Sequence, residues 1–324
     1  FQAEDGIRDF CLSRGLGDVY KRQTLVIFLL VQLHNDPREL YVPDSGYGLT
    51  EEQWEMLGEK MGFNDPLPIQ YWNWISGAFL GDFGVSLAQQ VPVRDIIQNR
   101  MRATIELAIG GWAFAILLGI PTGVFAAVKR GTFWDYIARG VAIVGQGAPP
   151  FVIGLLLIVI FAVWLQDTPF YLPAAGRPPQ FDIRNYILPC IALGWPAAAG
   201  LMRLTRSAML EVLDSEFVKL ARAKGVGWNK VIYKHALKNA LITPLTSALL
   251  LFSGWLNGAL VIEIIFGWPG IGYDALFTAV NDNDFPLLQG TVFFFVIIFV
   301  IFALLADLLY TIIDPRVRLT GGEK

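Results

Sequence analysis

Charge is scarce in this 324-residue chain: Asp, Glu, Lys and Arg make up 16% of it, against 54% hydrophobic residues and a mean hydropathy of +0.49. An ordinary soluble domain is about one quarter charged and less apolar, so water is not the main solvent of this chain. Cysteine is nearly absent. Cys11 and Cys190 are the only two, which excludes a disulfide or thiolate-metal framework and leaves Cys190, in an apolar run, as a small core residue. Histidine is as rare: His34 and His235 lie in segments expected on opposite sides of a membrane. His-Glu-x-x-His is missing, and so is the phosphate loop Gly-x-x-x-x-Gly-Lys-Ser/Thr, so this chain is expected to bind no ATP, Mg or metal by itself. The net charge of −3 carries little information, because the charges are segregated along the chain.

What is abundant is long apolar sequence. Crossing a bilayer as a helix takes about 20 apolar residues, and runs of that length occur at residues 104–128, 139–165, 185–205, 240–265 and 288–313. A shorter run at 24–34 reads as the remnant of a first spanning helix. Residues 1–23 have no initiating Met, no apolar stretch and no periodicity; they resemble translated sequencing-adapter sequence and are set aside from fold reasoning. The expected fold is an all-α membrane protein, a polytopic bundle of six transmembrane helices with the first truncated.

The loops alternate in charge as that topology requires. Residues 35–100 carry ten acids and few bases, with Trp54, Trp72 and Trp74 as interfacial anchors, and read as an external segment reaching to residue 103. Lys129, Arg130 and Arg139 flank an internal turn; residues 166–184 are Pro-rich and external; 266–287 hold Asp274, Asp282 and Asp284 with no base and are external. The tail 314–324 has Arg316, Arg318 and Lys324, so both termini are expected in the cytoplasm. Loop 206–239 is the most basic. From Arg203 to Lys238 there are eight Lys or Arg against Glu211, Asp214 and Glu216, which places it inside.

That loop is long and has helical pattern, and such loops usually have a task. Residues 211–224 can form an amphipathic helix with Val212, Phe217, Leu220 and Ala221 on or near one face and Lys219, Arg222 and Lys224 mostly elsewhere. Gly225 is its expected C-terminal cap, and a second helix resumes near Trp228. Small Ala221, Ala223 and Gly225 allow a partner to approach closely; a basic helix lying on anionic headgroups is the alternative.

Within the spans, Glu106, Asn257, Glu263 and Asp307 are expected to face protein or water, since an ionised group at mid-bilayer costs at least about 2.5–3.5 kcal/mol. Glu263 either lines the outer mouth of a pathway, with Asn257 below it, or braces the turn Gly267-Trp268-Pro269-Gly270. Asp307 and Asp314 are expected to pair with nearby Arg. Gly110, Gly111, Gly119, Gly123, Gly254 and Gly258 have spacings suited to close helix packing. Pro121, Pro149, Pro150, Pro189 and Pro196 would kink or start helices.

The stretch Glu216-Phe217-Val218-Lys219-Leu220-Ala221-Arg222-Ala223-Lys224-Gly225-Val226 resembles the coupling loop of ABC-importer permeases of the dipeptide/oligopeptide branch. Gly81-Asp82-Phe83-Gly84-Val85-Ser86, Pro149-Pro150-Phe151, Arg203-Leu204-Thr205-Arg206-Ser207, Trp268-Pro269-Gly270-Ile271-Gly272 and Phe285-Pro286-Leu287-Leu288-Gln289-Gly290 are similar to other segments of that family, in the same order, over residues 24–320. One departure is that Lys219-Leu220-Ala221 stands where the family pattern has Glu-Ala-Ala.

The resemblance implies the type I ABC importer permease architecture at the inner membrane. It also implies as partners a second homologous permease, two cytoplasmic ATPases carrying the ATP and Mg, an external solute-binding protein and the bilayer, with no nucleic acid. Residues 216–226 would then grip the ATPases, and this chain would be no enzyme. Two rivals are a proton-coupled secondary transporter and an intramembrane carboxylate enzyme; the latter needs two carboxylates close together.

Overall fold

The computed structural model describes residues 25–26, 28–29, 50–62, 64–174 and 176–313. The expectations for residues 1–23, for most of the run at 24–34 and for Asp314 and the tail lie outside the described residues. The described part is helical, with no sheet in it beyond an isolated antiparallel bridge between Val85 and Pro92. The chain divides into two compact units, residues 1–102 with 273–300, and residues 103–272 with 301–324.

In the first unit, helix α1 (Glu51–Met61) opens with a reciprocal cap. Thr50 Oγ1 accepts from the Gln53 backbone N–H at 3.4 Å and Gln53 Oε1 accepts from the Thr50 N–H at 3.0 Å, satisfying two donors that a helix start leaves free. Helix α2 (Leu67–Phe79) follows behind Pro66. Trp74 packs edge-on against Phe293, and Phe79 and Phe83 surround the same ring. Trp72, Phe79 and Leu80 remain 69%, 71% and 86% exposed, as suits a segment lying at a membrane surface.

Helix α3 (Val93–Val128) starts eleven residues before the apolar run at 104. Its first turns are amphipathic, with Val93, Ile96 and Ile97 buried beneath Arg94, Asp95 and Arg100; a run-length criterion misses them because the polar face interrupts the run. The expected external segment therefore ends within this helix.

The second unit is organised on helix α6 (Ile183–Leu213), a long apolar span with 56% of its apolar window buried. α3 lies against it backbone to backbone. Gly111, Ala115, Gly119 and Gly123 form a stripe at every fourth residue. A Cβ at Gly119 would come within 2.6 Å of the Ala198 carbonyl, and one at Gly123 within 2.6 Å of the Met202 carbonyl; a Cβ at Gly194 would meet the Gly111 carbonyl at 2.4 Å. This is small-residue packing as it occurs between membrane helices. Gly123→Ala is expected to push the two helices apart and lower the thermal midpoint of the detergent-solubilised chain, whereas Gly140→Ala, where a Cβ meets nothing, should leave it unchanged. Equal midpoints for the two variants would refute the contact.

The run at 139–165 is not one straight span. Helix α4 (Phe133–Gly147) and helix α5 (Pro150–Leu157), which continues as a π-helix over Ile158–Trp164, meet at 107°. Ala148 and Pro149 are extended, with ψ of 126° and 142°. Each precedes a proline, whose ring disfavours the helical conformation in the residue before it, and neither Pro149 nor Pro150 has an N–H to continue the ladder.

Helix α7 (Glu216–Ala223) and helix α8 (Trp228–Lys230) come next, followed by a π-helix (Val231–Ala236) and helix α9 (Leu237–Ala240). Helix α10 (Ile242–Phe266) occupies the fourth expected run. After a second π-helix (Gly272–Phe277) and helix α11 (Thr278–Asn281), helix α12 (Phe285–Ile313) occupies the last. Among the described residues three helices are long and apolar enough to cross a membrane, Val93–Val128, Ile183–Leu213 and Phe285–Phe302, with the bent pair a fourth candidate. The side chains of Gly254, Asn257, Gly258 and Asp307 lie outside the described part. Leu117, Val144 and Trp164 are 73%, 71% and 74% exposed, surface that only lipid or another apolar chain would cover at no cost.

Candidate functional site

The basic loop folds as an elbow of two helical pieces. α6 runs to Leu213 and stops at Asp214; Ser215 is extended (ψ 153°) and its carbonyl accepts from the Lys219 N–H, which starts α7. The expected helix over 211–224 is thus two pieces. Glu211, Val212 and Leu213 belong to the end of α6, and α7 begins at Glu216. The break falls where Ser215 offers its Oγ to the Val212 carbonyl, a local bond that competes with the helix. Glu216 in the first turn and Arg222 in the last each oppose the helix-end charge. Beside Glu216, which accepts from its Nζ at 2.8 Å, Lys219 has its pKa raised by that carboxylate.

α7 is fastened by one side chain. Val218 is 1% exposed, while Phe217 and Leu220 are 47% and 56% exposed; Ala221 is half-buried, and Ala223 and Lys224 face outward. The C-terminus closes in two bonds. The Gly225 N–H donates to the Arg222 carbonyl at 2.9 Å and the Val226 N–H donates to the Ala221 carbonyl at 3.1 Å, which is the Schellman arrangement. It requires a left-handed residue, and Gly225 has φ +77°. As expected, helix resumes at Trp228, whose ring lies 5.0 Å from the Arg222 guanidinium carbon. The following π-helix is held by Ile232 and Ala236 against Val124, Ala127 and Met209, so the elbow is tied to the C-terminal parts of α3 and α6.

Glu263 lies elsewhere, near the end of α10. Its carboxylate is fully buried and accepts from Thr104 Oγ1 at 2.6 Å; Thr104 Oγ1 in turn accepts from the Ile271 N–H at 2.9 Å. A Cβ at Gly270 would fall 2.2 Å from Glu263 Oε1, so only glycine lets the 267–272 turn fold over it. Gly267, at φ +57°, ends α10 with the same double bond pattern as Gly225. These contacts fasten the 267–272 turn to α3 through Thr104. Alongside, Arg177 donates to Glu106 through Nε at 2.8 Å and Nη2 at 3.0 Å, and the Tyr186 hydroxyl donates to the same carboxylate at 2.9 Å. Hydrogen bonding to Glu106 raises the Arg177 pKa further, against the opposing effect of burial. Trp268 stacks edge-on to Tyr186 at 4.8 Å and donates its indole N–H to the Ala103 carbonyl.

Glu106 is held by Arg177 and Tyr186, and Glu263 by Thr104. Among the described residues no cluster of three or more His, Cys, Asp or Glu is placed to hold a metal.

Sequence reasoning missed two links. Asp135, 1% exposed, accepts from Arg206 Nε at 2.8 Å and Nη2 at 2.9 Å and from the Gly131 N–H at 3.0 Å; Arg139 lies 3.6 Å away. This joins α4 to α6. The available signal was Arg206, inside the motif Arg203 to Ser207 at the edge of a span, which the charge count of the loop absorbed. In the first unit, Ser86 donates to Asp284 Oδ2 at 2.5 Å and the Ala88 N–H donates to the same atom, while Asp284 Oδ1 caps α12 through the Leu287 N–H. The segments beginning at Gly81 and Phe285, distant in sequence, are thereby clamped together.

The N-terminal family "Binding-prot-dependent transport system membrane comp, N-term" matches residues 9–108, and "Binding-protein-dependent transport system inner membrane component" matches residues 119–319. The glutathione transport system permease protein of Escherichia coli (strain K12) is 35% identical over 296 residues, covering 91% of this chain and 93% of that protein. The dipeptide transport system permease protein of Alkalihalophilus pseudofirmus is 40% identical over 287 residues, covering 81% and 85%. A crystal structure of an amino acid ABC transporter with histidines superposes with a TM-score of 0.50 at 16% identity, over 67% of this chain and 93% of that one, a likeness of fold alone. The chain belongs to the family of inner membrane components of binding-protein-dependent transport systems.

Proposed function

We propose that this chain is the permease through which an ABC importer moves small peptides, of dipeptide to glutathione size, across the inner membrane. The observation that carries the reading is the elbow at 216–226: a helix with exposed Phe217 and Leu220, closed at Gly225 and wired into α3 and α6. The relatives named for dipeptide and glutathione transport support the solute class.

In this reading a second homologous permease completes the pathway, two cytoplasmic ATPases hold ATP and Mg, and an external binding protein delivers the solute. One ATPase receives α7 in a surface cleft, and the other receives the corresponding helix of the second permease. Closure of the ATPase pair displaces α7, and the elbow levers the inner ends of α3 and α6, turning the cavity outward. Phe217, Leu220 and Ala221 supply the apolar contact; Glu216, Arg222, Ala223 and Lys224 frame it; Gly225 and Val226 hold its angle. Both termini and residues 206–239 face the cytoplasm, as the charge pattern of the loops supports.

Inside-out handling is avoided by using right-side-out proteoliposomes of the assembled complex, loaded internally with ATP. Uptake of labelled dialanine or glutathione is expected to need internal ATP, both ATPases and the binding protein. Uptake by this chain alone, driven by an imposed proton gradient without ATP, would refute the reading in favour of a secondary transporter.

A further inference from the structure

The break between α4 and α5 leaves polar backbone open inside the membrane. At the end of α4 the Ala148 N–H donates to the Val144 carbonyl at 3.0 Å. The next carbonyls, of Gly145, Gln146 and Gly147, have no hydrogen-bond partner among the described residues. The first two would be served by the N–H groups of residues 149 and 150, which as prolines have none. Gly147 has open space where a Cβ would stand, and Gln146, Gly147, Pro149 and Pro150 are all exposed.

The depth of this break follows from α6. Gly145 packs on Trp195, with a virtual Cβ 2.3 Å from the indole nitrogen. At 1.5 Å per residue Trp195 lies about 18 Å along α6 from Ile183 and about 27 Å from Leu213, which puts the break well inside a hydrocarbon core about 30 Å thick. Unpaired carbonyls at that depth are tolerated where they are buried in protein or line a water-filled cavity, never against lipid tails. A donor stands beside these acceptors. The Trp195 indole N–H makes no hydrogen bond among the described residues, and its ring is fixed by stacking on Phe114 at 6.3 Å. Trp195 also lines an apolar groove with Leu118, Thr122, Val141 and Met202.

We infer that the break at residues 145–150, with Trp195, is a peptide-unit station in the solute path: the carbonyls of exposed Gln146 and Gly147 and the Gln146 side-chain amide oxygen accept solute N–H groups, and the Trp195 indole donates to a solute carbonyl. An amide-bearing solute offers one donor and one acceptor per peptide unit, and the groove beside Trp195 accommodates its apolar side chains. This rests on the permease reading above and assigns it a contact point.

The test uses the assembled complex in proteoliposomes, with Cys11 and Cys190 replaced by serine and alanine and a single cysteine at Gly147→Cys or Gln146→Cys. A charged, water-soluble methanethiosulfonate reagent is expected to react at both, at rates differing about tenfold between nucleotide-free and ATP-vanadate-trapped complex, as a cavity with two states requires. Millimolar dialanine or glutathione should slow that reaction. Trp195→Phe, which keeps the ring and removes the donor, should raise the KM for uptake of the same peptides about tenfold, the scale of one lost neutral hydrogen bond, with little change in kcat. Reaction with an uncharged, lipid-permeant maleimide alone, or reaction with the charged reagent that neither peptide slows, overturns the proposal. Loss of ATP-driven uptake in the parent complex while labelling and protection persist would count against the proposed function and leave the station in place.

Discussion

Gly225→Val and Ala221→Trp are each expected to abolish most of the ATP turnover stimulated by loaded binding protein while the chain still inserts and assembles in the membrane. At Gly225 the reason is backbone conformation. Its φ of +77° costs glycine nothing, but a β-branched residue there carries strain on the order of 1–2 kcal/mol. No atom lies within 4 Å of the missing Cβ, so the strain cannot be mistaken for a packing clash. The chain relieves it by leaving the left-handed region, which breaks the bonds from Gly225 to Arg222 and from Val226 to Ala221 and re-aims α7 relative to Trp228. At Ala221 the reason is surface shape: an indole on the half-buried face between Phe217 and Leu220 holds a partner away from both. Lys230→Gln lies beyond the elbow and should be mild. Normal stimulated turnover in both Gly225→Val and Ala221→Trp, measured on purified complexes of equal subunit content, would reduce α7 to a membrane-surface helix.

The features legible in the sequence were those with local causes. Gly225 was readable as a cap because left-handed backbone at a helix end selects glycine whatever surrounds it. The stripe Gly111, Gly119, Gly123 was readable because close helix contact leaves room for no Cβ. Pro149 and Pro150 announced a break, but its 107° angle depends on how Gly154 and Gly145 seat against Phe266, Ala192 and Trp195, which are distant in sequence. The N-terminal limit of α7 was misplaced by five residues because Glu211 to Leu213 continue the helical pattern and only the Ser215 side chain, turning back on Val212, interrupts it. Glu263 showed its position but not its enclosure, since Thr104 comes from another helix 159 residues away. Asp135 was invisible as a partner of Arg206 for the same reason, the two being 71 positions apart.

That last pair carries the largest expected effect on stability. Asp135 is 1% exposed and the Arg206 side chain 19%, so both charges have left water, and each is tolerated because the other is bidentate to it. Such a pair adds little relative to an apolar substitute, but removing one member strands the other, at a cost of about 3–5 kcal/mol. Asp135→Ala should therefore be severe: it leaves Arg206 and Arg139 facing each other with no carboxylate, and the Gly131 N–H without its acceptor. Arg206→Met should be nearly as damaging, moderated because Arg139, 3.6 Å from Asp135, can swing in to supply part of the lost charge. Asp135→Leu combined with Arg206→Met removes both charges and should recover most of the loss, since the cost lies in desolvation and not in lost contact. Thermal midpoints of the four proteins in detergent decide this, read beside the yield of assembled complex. A double variant no more stable than Asp135→Ala would mean that α4 and α6 are joined here by hydrogen-bond geometry that apolar side chains cannot replace. The recovered double variant should still differ from the parent in one respect: without the fork from Arg206, α4 loses its fixed rotation about its own axis at its N-terminal end. Coupling from the elbow, whose π-helix packs on Met209 one turn below Arg206, would then be weaker than its stability suggests.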